Sequence, residues 1–249
     1  MTYHHYTENE LYVAGVPQFD LYTHRDQLLS REAFFKKWKL DPEKKLITFT
    51  TGTRGTSPYD DQVVDLLGQK IREGVFKQSC QLMVRLHPKD LPELYKRFEN
   101  RPEMVIQLPG RRAKTNDSWN PTREDMYGLA ELMCYSDVVV NMASTITIDA
   151  AAFDTPVVNT AFDGYKEQPY LRSSRRYYDY EHYKRVVDTG GVKISYSLDE
   201  LIRQIQEYLD NPKLDAEGRA RIREEQSYKL DGKASERIAE FLIRYIRES

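Results

Sequence analysis

The sequence predicts an α/β fold in which a doubly wound, mostly parallel sheet is followed by additional C-terminal helices. Short apolar runs rich in β-branched residues alternate with longer segments of helical period, which is the pattern of parallel strands joined by crossover helices. The chain has 249 residues, 40% of them hydrophobic and 12% aromatic, which is enough for a substantial core. Neither a Walker loop nor a GxGxxG loop follows a predicted strand, which argues against P-loop NTPases and dinucleotide dehydrogenases.

Each element has its own signal in the chain. Apolar runs predict strands at residues 46–50, 82–86, 104–107, 137–140 and 156–159, with 192–194 as a late edge strand. Apolar residues at helical spacing predict helices at 60–73, 91–100, 123–135, 145–153, 198–209, 215–225 and 233–247. Ser197 is the expected N-cap of the helix at 198–209, and Asn211-Pro212 is its stop signal. We expect an N-terminal linker with a short helix at 1–45, followed by one domain at 46–249.

Charge and cysteine content exclude several classes of function. The chain has 37 basic and 39 acidic residues, and a net charge of −2 gives no reason to expect nucleic acid as a partner. Cys80 and Cys134 lack the spacing of metal ligands, so we expect two core thiols in a reducing compartment and no metal site. No signal peptide and no membrane-spanning apolar stretch is visible, so the sequence predicts a cytoplasmic protein.

The loops that follow the predicted strands carry the polar residues of interest, because ligands of such sheets bind outside the carboxyl ends of the strands. After the first strand comes TTGTRGTSPYD, in which Gly52 allows close backbone approach while Thr53 and Arg54 offer hydrogen-bond donors. The loop is equally compatible with a plain strand-to-helix turn. After the second strand comes RLHPKD, in which His87 and Lys89 can both donate to a phosphate.

The segment SDVVVNMASTITID places small oxygen-bearing side chains where a buried strand gives way to a helix. Asn141 ends the strand, Ser144 is the expected N-cap, and the hydroxyls of Ser144, Thr145 and Thr147 can cradle a diphosphate at the helix tip. Asp149 is expected to reach outward and accept hydrogen bonds from ribose hydroxyls. The alternative is that Ser144 only caps the helix and that the threonines fill its first turn.

Two later segments complete the set of candidates. In NTAFDGY, Asp163 can hold a donor hydroxyl or make an Asx turn, and the two interpretations are equally good. In YLRSSRRYYDYEHYKRVV, basic and aromatic residues interleave as in single-strand binders, but the acidic residues within it disfavour nucleic acid. We expect a loop that closes over a ligand, with Arg175, Arg176 and His182 as phosphate or acceptor contacts. The stripe of Ile238, Phe241, Leu242 and Tyr245 in the last helix predicts core packing.

The order of these segments resembles a known family. HP at 87–88, SDVVVNMASTITIDAAAFDTPVV, FDGY, the tyrosine-rich segment, GGV, SLDELI and DGKASERIAEFL resemble the C-terminal, donor-binding domain of GT-B glycosyltransferases. The chain is most similar to the group of CDP-glycerol glycerophosphotransferases and surface-polysaccharide transferases. The resemblance implies one Rossmann-like half of a GT-B fold, in which His87, Ser144 and Thr145 contact the diphosphate of the donor.

The resemblance also implies substrates and partners. A nucleotide-diphosphate sugar is the expected donor, since the loops TFTTGTRGT and NMAST differ from the usual glycerophosphotransferase motifs, and CDP-glycerol is the alternative. No cofactor is implied. VAGVPQFD resembles the segment that leads out of the first GT-B domain, so an N-terminal domain, in cis or in trans, would carry the acceptor site. Its acceptor would bring the protein to the inner face of the membrane.

The resemblance implies that the chain is a transferase domain that binds nucleotide but is inactive or weakly active by itself. His87 is the best candidate for a catalytic residue within it. Two other classes of function stay open, namely a UDP-sugar 2-epimerase-like enzyme and a non-catalytic nucleotide-sugar-binding subunit.

Overall fold

A computed structural model describes residues 5–112, 119–120 and 122–248 of the chain. Its centre is a six-stranded parallel sheet of order β3-β2-β1-β6-β7-β8. The strands of this sheet are β1 Lys45–Thr50, β2 Cys80–Arg85, β3 Met104–Gln107, β6 Val138–Asn141, β7 Val157–Thr160 and β8 Lys193–Ser195. A separate antiparallel pair joins β4 Arg111–Arg112 to β5 Trp119–Asn120. Counted within the main sheet alone, the strand order is 3-2-1-4-5-6, and the predicted doubly wound α/β fold is confirmed.

The helices cover both faces of the sheet. They are α1 Asp20–Thr23, α2 Arg31–Trp38, α3 Asp60–Arg72, α4 Arg123–Tyr135, α5 Ile146–Ala152, α6 Glu181–Asp188, α7 Leu198–Asp210, α8 Ala216–Ser227 and α9 Ala234–Glu248. Ser197 caps α7 as predicted, since its hydroxyl accepts the Glu200 N–H at 3.2 Å. The helix predicted at 91–100 is instead a 3₁₀ helix, Pro92–Phe98, with a proline in its first turn.

Strand periodicity divides the core into two layers. Ile47, Phe49 and Leu82 point to the face covered by α3 and α7. The alternate positions, such as Leu46 and Met83, point to the face covered by α2, α4 and α5. Both faces are buried, which explains why the strands are almost continuously apolar.

The segment before the sheet packs onto the domain. Ser30 caps α2 by accepting the Ala33 N–H at 3.2 Å, and Phe34 and Phe35 insert among the core residues beside the sheet. Asp20 then caps α9, because its carboxylate accepts the N–H groups of Ala234 and Ser235 at 2.8 Å each. The boundary near residue 45 stays a prediction, but the segment before it belongs to the same packed body.

Two sequence-based expectations about the C-terminal half are wrong. The tyrosine-rich segment is not a loop, since it forms 3₁₀ turns at Tyr170–Arg172 and Ser174–Asp179 and then helix α6. The apolar stripe of α9 is not core, because Leu242 and Tyr245 are exposed and only Ala234 of this helix is buried. No helix within the described part of the chain is long and apolar enough to cross a membrane.

Candidate functional site

The order of the sheet reverses between β1 and β6, and a cleft opens there at the carboxyl ends of the strands. It has a volume of about 500 Å³. Its walls come from the loops after β1, β2 and β6, and they include Thr53, His87, Lys89, Ser144 and Thr145. Such a reversal is the place at which open α/β sheets bind their ligands.

A row of polar side chains borders this edge of the sheet. In the register of the sheet, Gln107, Arg85, Thr50 and Asn141 are neighbours on four adjacent strands. Their side chains therefore lie on one face. Arg85 donates to Gln107 Oε1 at 2.9 Å. Thr50 is only 4% exposed and its Oγ1 has no hydrogen-bond partner among the described residues. Because buried hydroxyls are normally paired, an unpaired one in the wall of a cleft indicates a place for a ligand.

His87 is held in one orientation by its own loop. Its backbone N–H donates to Thr51 Oγ1 at 2.8 Å, and its Nδ1 accepts the Lys89 N–H at 3.0 Å. In the neutral imidazole the proton is therefore on Nε2. Burial lowers the pKa of His87, and the nearby Lys89 adds to this while Asp90 opposes it. The site thus presents a neutral N–H donor in the cleft.

Ser144 and Thr145 also lie in the wall of the cleft, but their local structure differs from the prediction. Helix α5 begins at Ile146 and its N-cap is Thr145, one residue later than expected. The Ser144 hydroxyl accepts the Ile146 N–H at 3.4 Å. Since α5 has only seven residues, its dipole alone is a weak basis for the expected anion site.

Asn141 and Thr147 are not available to a ligand. Both side chains are fully buried. The Thr147 hydroxyl lies 2.8 Å from the hydroxyl of Tyr183, which donates to Asn159 Oδ1 at 2.8 Å, and Asn159 donates to Asn141 Oδ1. The network fixes the end of β6 and the start of α5, so the expected ligand contacts of Asn141 and Thr147 are wrong.

Asp149 does not reach outward, contrary to the prediction. It is 4% exposed at the floor of the cleft and accepts a hydrogen bond from the Tyr22 hydroxyl. Burial raises the pKa of Asp149 to about 6, although the Tyr22 hydrogen bond and Arg85 favour the ionised form. A ligand could reach this carboxylate only beside Tyr22.

Arg85 is a site residue that sequence reasoning missed. Its guanidinium lines the cleft at 8% exposure, and no carboxylate of the described residues lies within 4.0 Å of it. Burial lowers the pKa of Arg85, while Asp125, Tyr22 and Asp149 counteract this from a distance. The available signal was a charged residue ending the otherwise buried strand CQLMVR, since buried charges need a partner.

The loop after β1 contributes less than expected. The Gly52 N–H donates to Asp60 Oδ2 at 2.7 Å, and a Cβ on Gly52 would lie 2.8 Å from Ser57 Oγ. The glycine is therefore required by the packing of its own loop. Arg54 pairs with Asp61 at 3.3 Å, donates to the Pro58 carbonyl and is not among the residues that line the cleft, and its expected contact with a ligand stays a prediction. Thr53 lies in the cleft wall.

Asp163, Arg175 and Arg176 lie outside this cleft. Asp163 is buried and accepts the Ser174 N–H at 2.9 Å, a contact across eleven residues that ties its loop to the tyrosine-rich segment. It borders a separate cavity of about 270 Å³, together with Arg175, which pairs with Glu167 at 2.8 Å. Arg176 donates to the Leu171 carbonyl and to the Tyr177 hydroxyl.

A second, smaller cleft adjoins the first. It has a volume of about 280 Å³ and shares Thr50, Thr53, His87 and Ser144 with the larger cleft. Its outer wall consists of Tyr177, Tyr180 and His182 from the tyrosine-rich segment. His182 is thus the only one of the three candidates in that segment that the described structure brings to the site.

The described residues contain neither a cluster of metal ligands nor an activated thiol. No group of three or more His, Cys, Asp or Glu side chains there could hold a metal ion. Burial raises the pKa of Cys80 to about 12 and raises that of Cys134 as well, so neither thiol is poised to act as a nucleophile.

Comparison with solved structures shows the same fold in two kinds of protein. The wall teichoic acid polymerase TagF, in a variant soaked with CDPG, matches with a TM-score of 0.59 at 16% identity, over 98% of this chain and 54% of TagF. The UDP-GlcNAc 2-epimerase of Neisseria meningitidis, bound to UDP-GlcNAc, matches with a TM-score of 0.58 at 14% identity, over 96% and 57%. A putative UDP-N-acetylglucosamine 2-epimerase of Listeria monocytogenes matches with a TM-score of 0.59 at 15% identity, over 98% and 56%.

The chain spans slightly more than half the length of these structures. Comparison with curated protein sequences gives no match. The family of CDP-glycerol:poly(glycerophosphate) glycerophosphotransferases matches residues 2–244, almost the whole chain. The resemblance found in the sequence is therefore confirmed, and the chain belongs to the CDP-glycerol:poly(glycerophosphate) glycerophosphotransferase family.

Proposed function

We propose that this chain is the donor-binding half of a cytoplasmic GT-B transferase that builds a surface polysaccharide or glycoconjugate. Its ligand is a nucleoside diphosphate that carries a hydroxyl-rich group, either a sugar or, as in the name of the family, glycerol phosphate. The supporting observation is that two clefts meet at the reversal point of the sheet, around His87, Ser144 and the unpaired hydroxyl of Thr50.

The chemistry of the shared wall suits a diphosphate. Thr50, Thr53 and Ser144 supply hydroxyl donors, and His87 supplies a neutral N–H donor. Lys89, at the rim of the larger cleft, adds a cation. The lining of the larger cleft also includes the apolar side chains of Leu129 and Ile146, which suit the planar ring of a nucleobase.

The acceptor site is proposed to lie on a further domain, supplied in cis or in trans. The chain covers 54–57% of the length of the solved structures that share its fold. A docking face is available, because Leu242, Ile243 and Ile246 of α9 are exposed on the surface. Exposed apolar patches of this kind commonly mark an interface. The acceptor on that domain would bring the protein to the inner face of the membrane.

Nucleotide binding can be measured by calorimetric titration and thermal shift with CDP, UDP, GDP and ADP. We expect one nucleotide to raise the melting temperature. His87→Ala and Ser144→Ala should each weaken its binding by about 1–3 kcal/mol, the usual cost of a hydrogen bond to a charged group. His24→Ala and Ser235→Ala are matched controls, because both positions are exposed and lie outside the clefts. If the two site variants bind the nucleotide as tightly as the controls do, the proposed diphosphate-binding site is refuted.

A further inference from the structure

The smaller cleft has a wall that the binding of a nucleoside diphosphate leaves unexplained. Tyr177 and Tyr180 pack edge to face with their ring centroids 5.3 Å apart, and the His182 ring lies 6.0 Å from that of Tyr180. Tyr180 is 44% exposed and His182 is also exposed, so neither ring is needed by the core. A cluster of exposed aromatic rings beside a cleft is typical of a ligand-binding surface.

The wall is held rigidly by the neighbouring tyrosines of the same segment. The Tyr178 hydroxyl donates to the Thr160 carbonyl at 2.8 Å, and the Tyr183 hydroxyl donates to Asn159 at 2.8 Å. Both anchors are buried. The segment therefore inserts two tyrosines into the core at the ends of β6 and β7, and it presents Tyr177, Tyr180 and His182 to the cleft in a fixed arrangement.

The two clefts differ in charge. The larger one contains Arg85, Lys89 and Asp149. The smaller one, among the described residues, is lined by hydroxyls, imidazoles, phenols and small apolar groups, with no Lys, Arg, Asp or Glu. Outside the wall that it shares with the larger cleft, this lining offers no carboxylate, ammonium or guanidinium group to pair with an ionic group, but it can both donate to and accept from ligand hydroxyls. The negative faces of aromatic rings also attract the polarised C–H groups of a polyol.

The shared wall fixes which part of a ligand would enter the smaller cleft. A diphosphate has two ends, and under the proposed function the nucleoside at one of them occupies the larger cleft, whose lining includes Leu129 and Ile146. The other end must then enter the cleft that opens from the same wall at Thr50, His87 and Ser144. The volumes agree with this order, since about 500 Å³ is available for the nucleoside and about 280 Å³ for a smaller group.

We propose that Tyr177, Tyr180 and His182 form a subsite for the uncharged, hydroxyl-rich group that the diphosphate carries, and that they give the full donor its advantage over the free nucleoside diphosphate. The inference rests on the proposed function. A sugar ring and a glycerol unit share the chemistry that this wall recognises, and they are distinguished by experiment. These residues are assigned a role in binding and not in a catalytic step.

The test is a calorimetric titration of the full chain with four ligands, CDP, CDP-glycerol, UDP and UDP-GlcNAc. Tyr180→Ala and His182→Ala remove two parts of the wall, and Tyr196→Ala, an exposed tyrosine outside both clefts, is the matched control. In each wall variant we expect the ratio of donor affinity to diphosphate affinity to fall about tenfold, the loss of one good contact. The affinity for the free diphosphate should change less than about twofold, and the control should match the wild type.

The pair with the larger wild-type ratio, CDP-glycerol to CDP or UDP-GlcNAc to UDP, identifies the carried group. An unchanged ratio in both variants, or a wild-type ratio near one, overturns the subsite while the nucleotide site stands. An equal loss for donor and free diphosphate overturns it too, because the rings would then contact the nucleotide itself. If the wild type binds none of these four ligands and neither GDP nor ADP, the proposed function has failed as well.

Discussion

The pKa values of single residues in and around this site depend on burial more than on position in the sequence. Burial lowers the pKa of His87, which favours its neutral form, and burial raises the pKa of Asp149 to about 6. Asp60, at the start of α3, is the clearest case, because burial followed by the nearby charges of Asp90 and Asp61 raises its pKa to about 8. The Gly52 N–H that donates to Asp60 offsets only part of this effect.

The protonation of Asp60 predicts a pH dependence of stability. Its folded-state pKa of about 8 lies above the ordinary value of 3.8, so between these pH values the folded state holds a proton that the unfolded state has released. The contribution of Asp60 to stability therefore falls as the pH rises through this window. Asp60→Asn keeps an acceptor for Gly52 and removes the titration.

The melting temperature of the wild type should accordingly fall relative to that of Asp60→Asn as the pH rises from about 4 to about 8. Thermal denaturation monitored by circular dichroism at a series of pH values measures this difference. Asp26→Asn, at an exposed position, serves as the control. A difference between wild type and Asp60→Asn that does not vary with pH would show that Asp60 is already ionised in the folded protein.

Single elements are positioned by close contacts that their own sequence does not reveal. Helix α8 lies directly against the turn before β8, and a Cβ on Gly218 would be 2.3 Å from the Gly190 carbonyl carbon and the Gly191 nitrogen. Arg219, the next residue, is fully buried and donates to Asp154 at 2.9 Å and to the carbonyls of Leu214 and Pro212. The helix is therefore held by a close backbone contact that only glycine permits at 218 and by the hydrogen bonds of the buried Arg219 side chain.

Gly218→Ala tests this contact. Intrinsic propensity favours alanine over glycine within a helix by about 1 kcal/mol. The backbone of residues 190–191 cannot give way as a flexible side chain could, so we expect the substitution to destabilise the protein instead. Urea denaturation measures the free energy of unfolding. Glu217→Ala, on the exposed side of the same helix, should leave that free energy almost unchanged, and a stabilised Gly218→Ala would contradict the contact.

In the described chain, a six-stranded parallel sheet and an exposed apolar surface on α9 are the features at the scale of the whole molecule. The six strands, both core layers and both clefts lie within the described chain. On the surface, α9 leaves Ile246 73% exposed beside other apolar side chains. Tyr12 of the N-terminal segment stacks on Phe241 of α9 at 4.4 Å, so the two terminal segments share this surface.

At this scale we expect the isolated chain to bind a donor without transferring its group. The proposed acceptor site lies on a further domain, and transfer requires both substrates to be held in reacting geometry. Incubation of the chain with CDP-glycerol or UDP-GlcNAc and a polyol-phosphate acceptor, followed by chromatography of the released nucleotide, measures this. Binding without nucleotide release is the expected result, and robust release with transfer to the acceptor would place the whole active site within this chain.

The sequence by itself determined the order of the six main strands and the positions of most helices, because strand and helix periodicities are local properties of the chain. The strand at 104–107 and the helix at 123–135 have the predicted bounds, and the other main strands differ by one or two residues at their ends. It also located the strand-end loops, since parallel strands bring all their carboxyl ends to one edge. His87 and Ser144 could be placed together for that reason.

The tertiary structure alone decided which polar side chains open into the clefts. Thr147 is buried by Tyr183, 36 residues away, and Asp149 by Tyr22, 127 residues away. Of the four tyrosines between 177 and 183, two are core anchors and two face a cleft, which no local spacing distinguishes. Burial depends on what distant segments bring to a position, so the same oxygen-bearing residues could be ligand contacts or core, and only packing separates them.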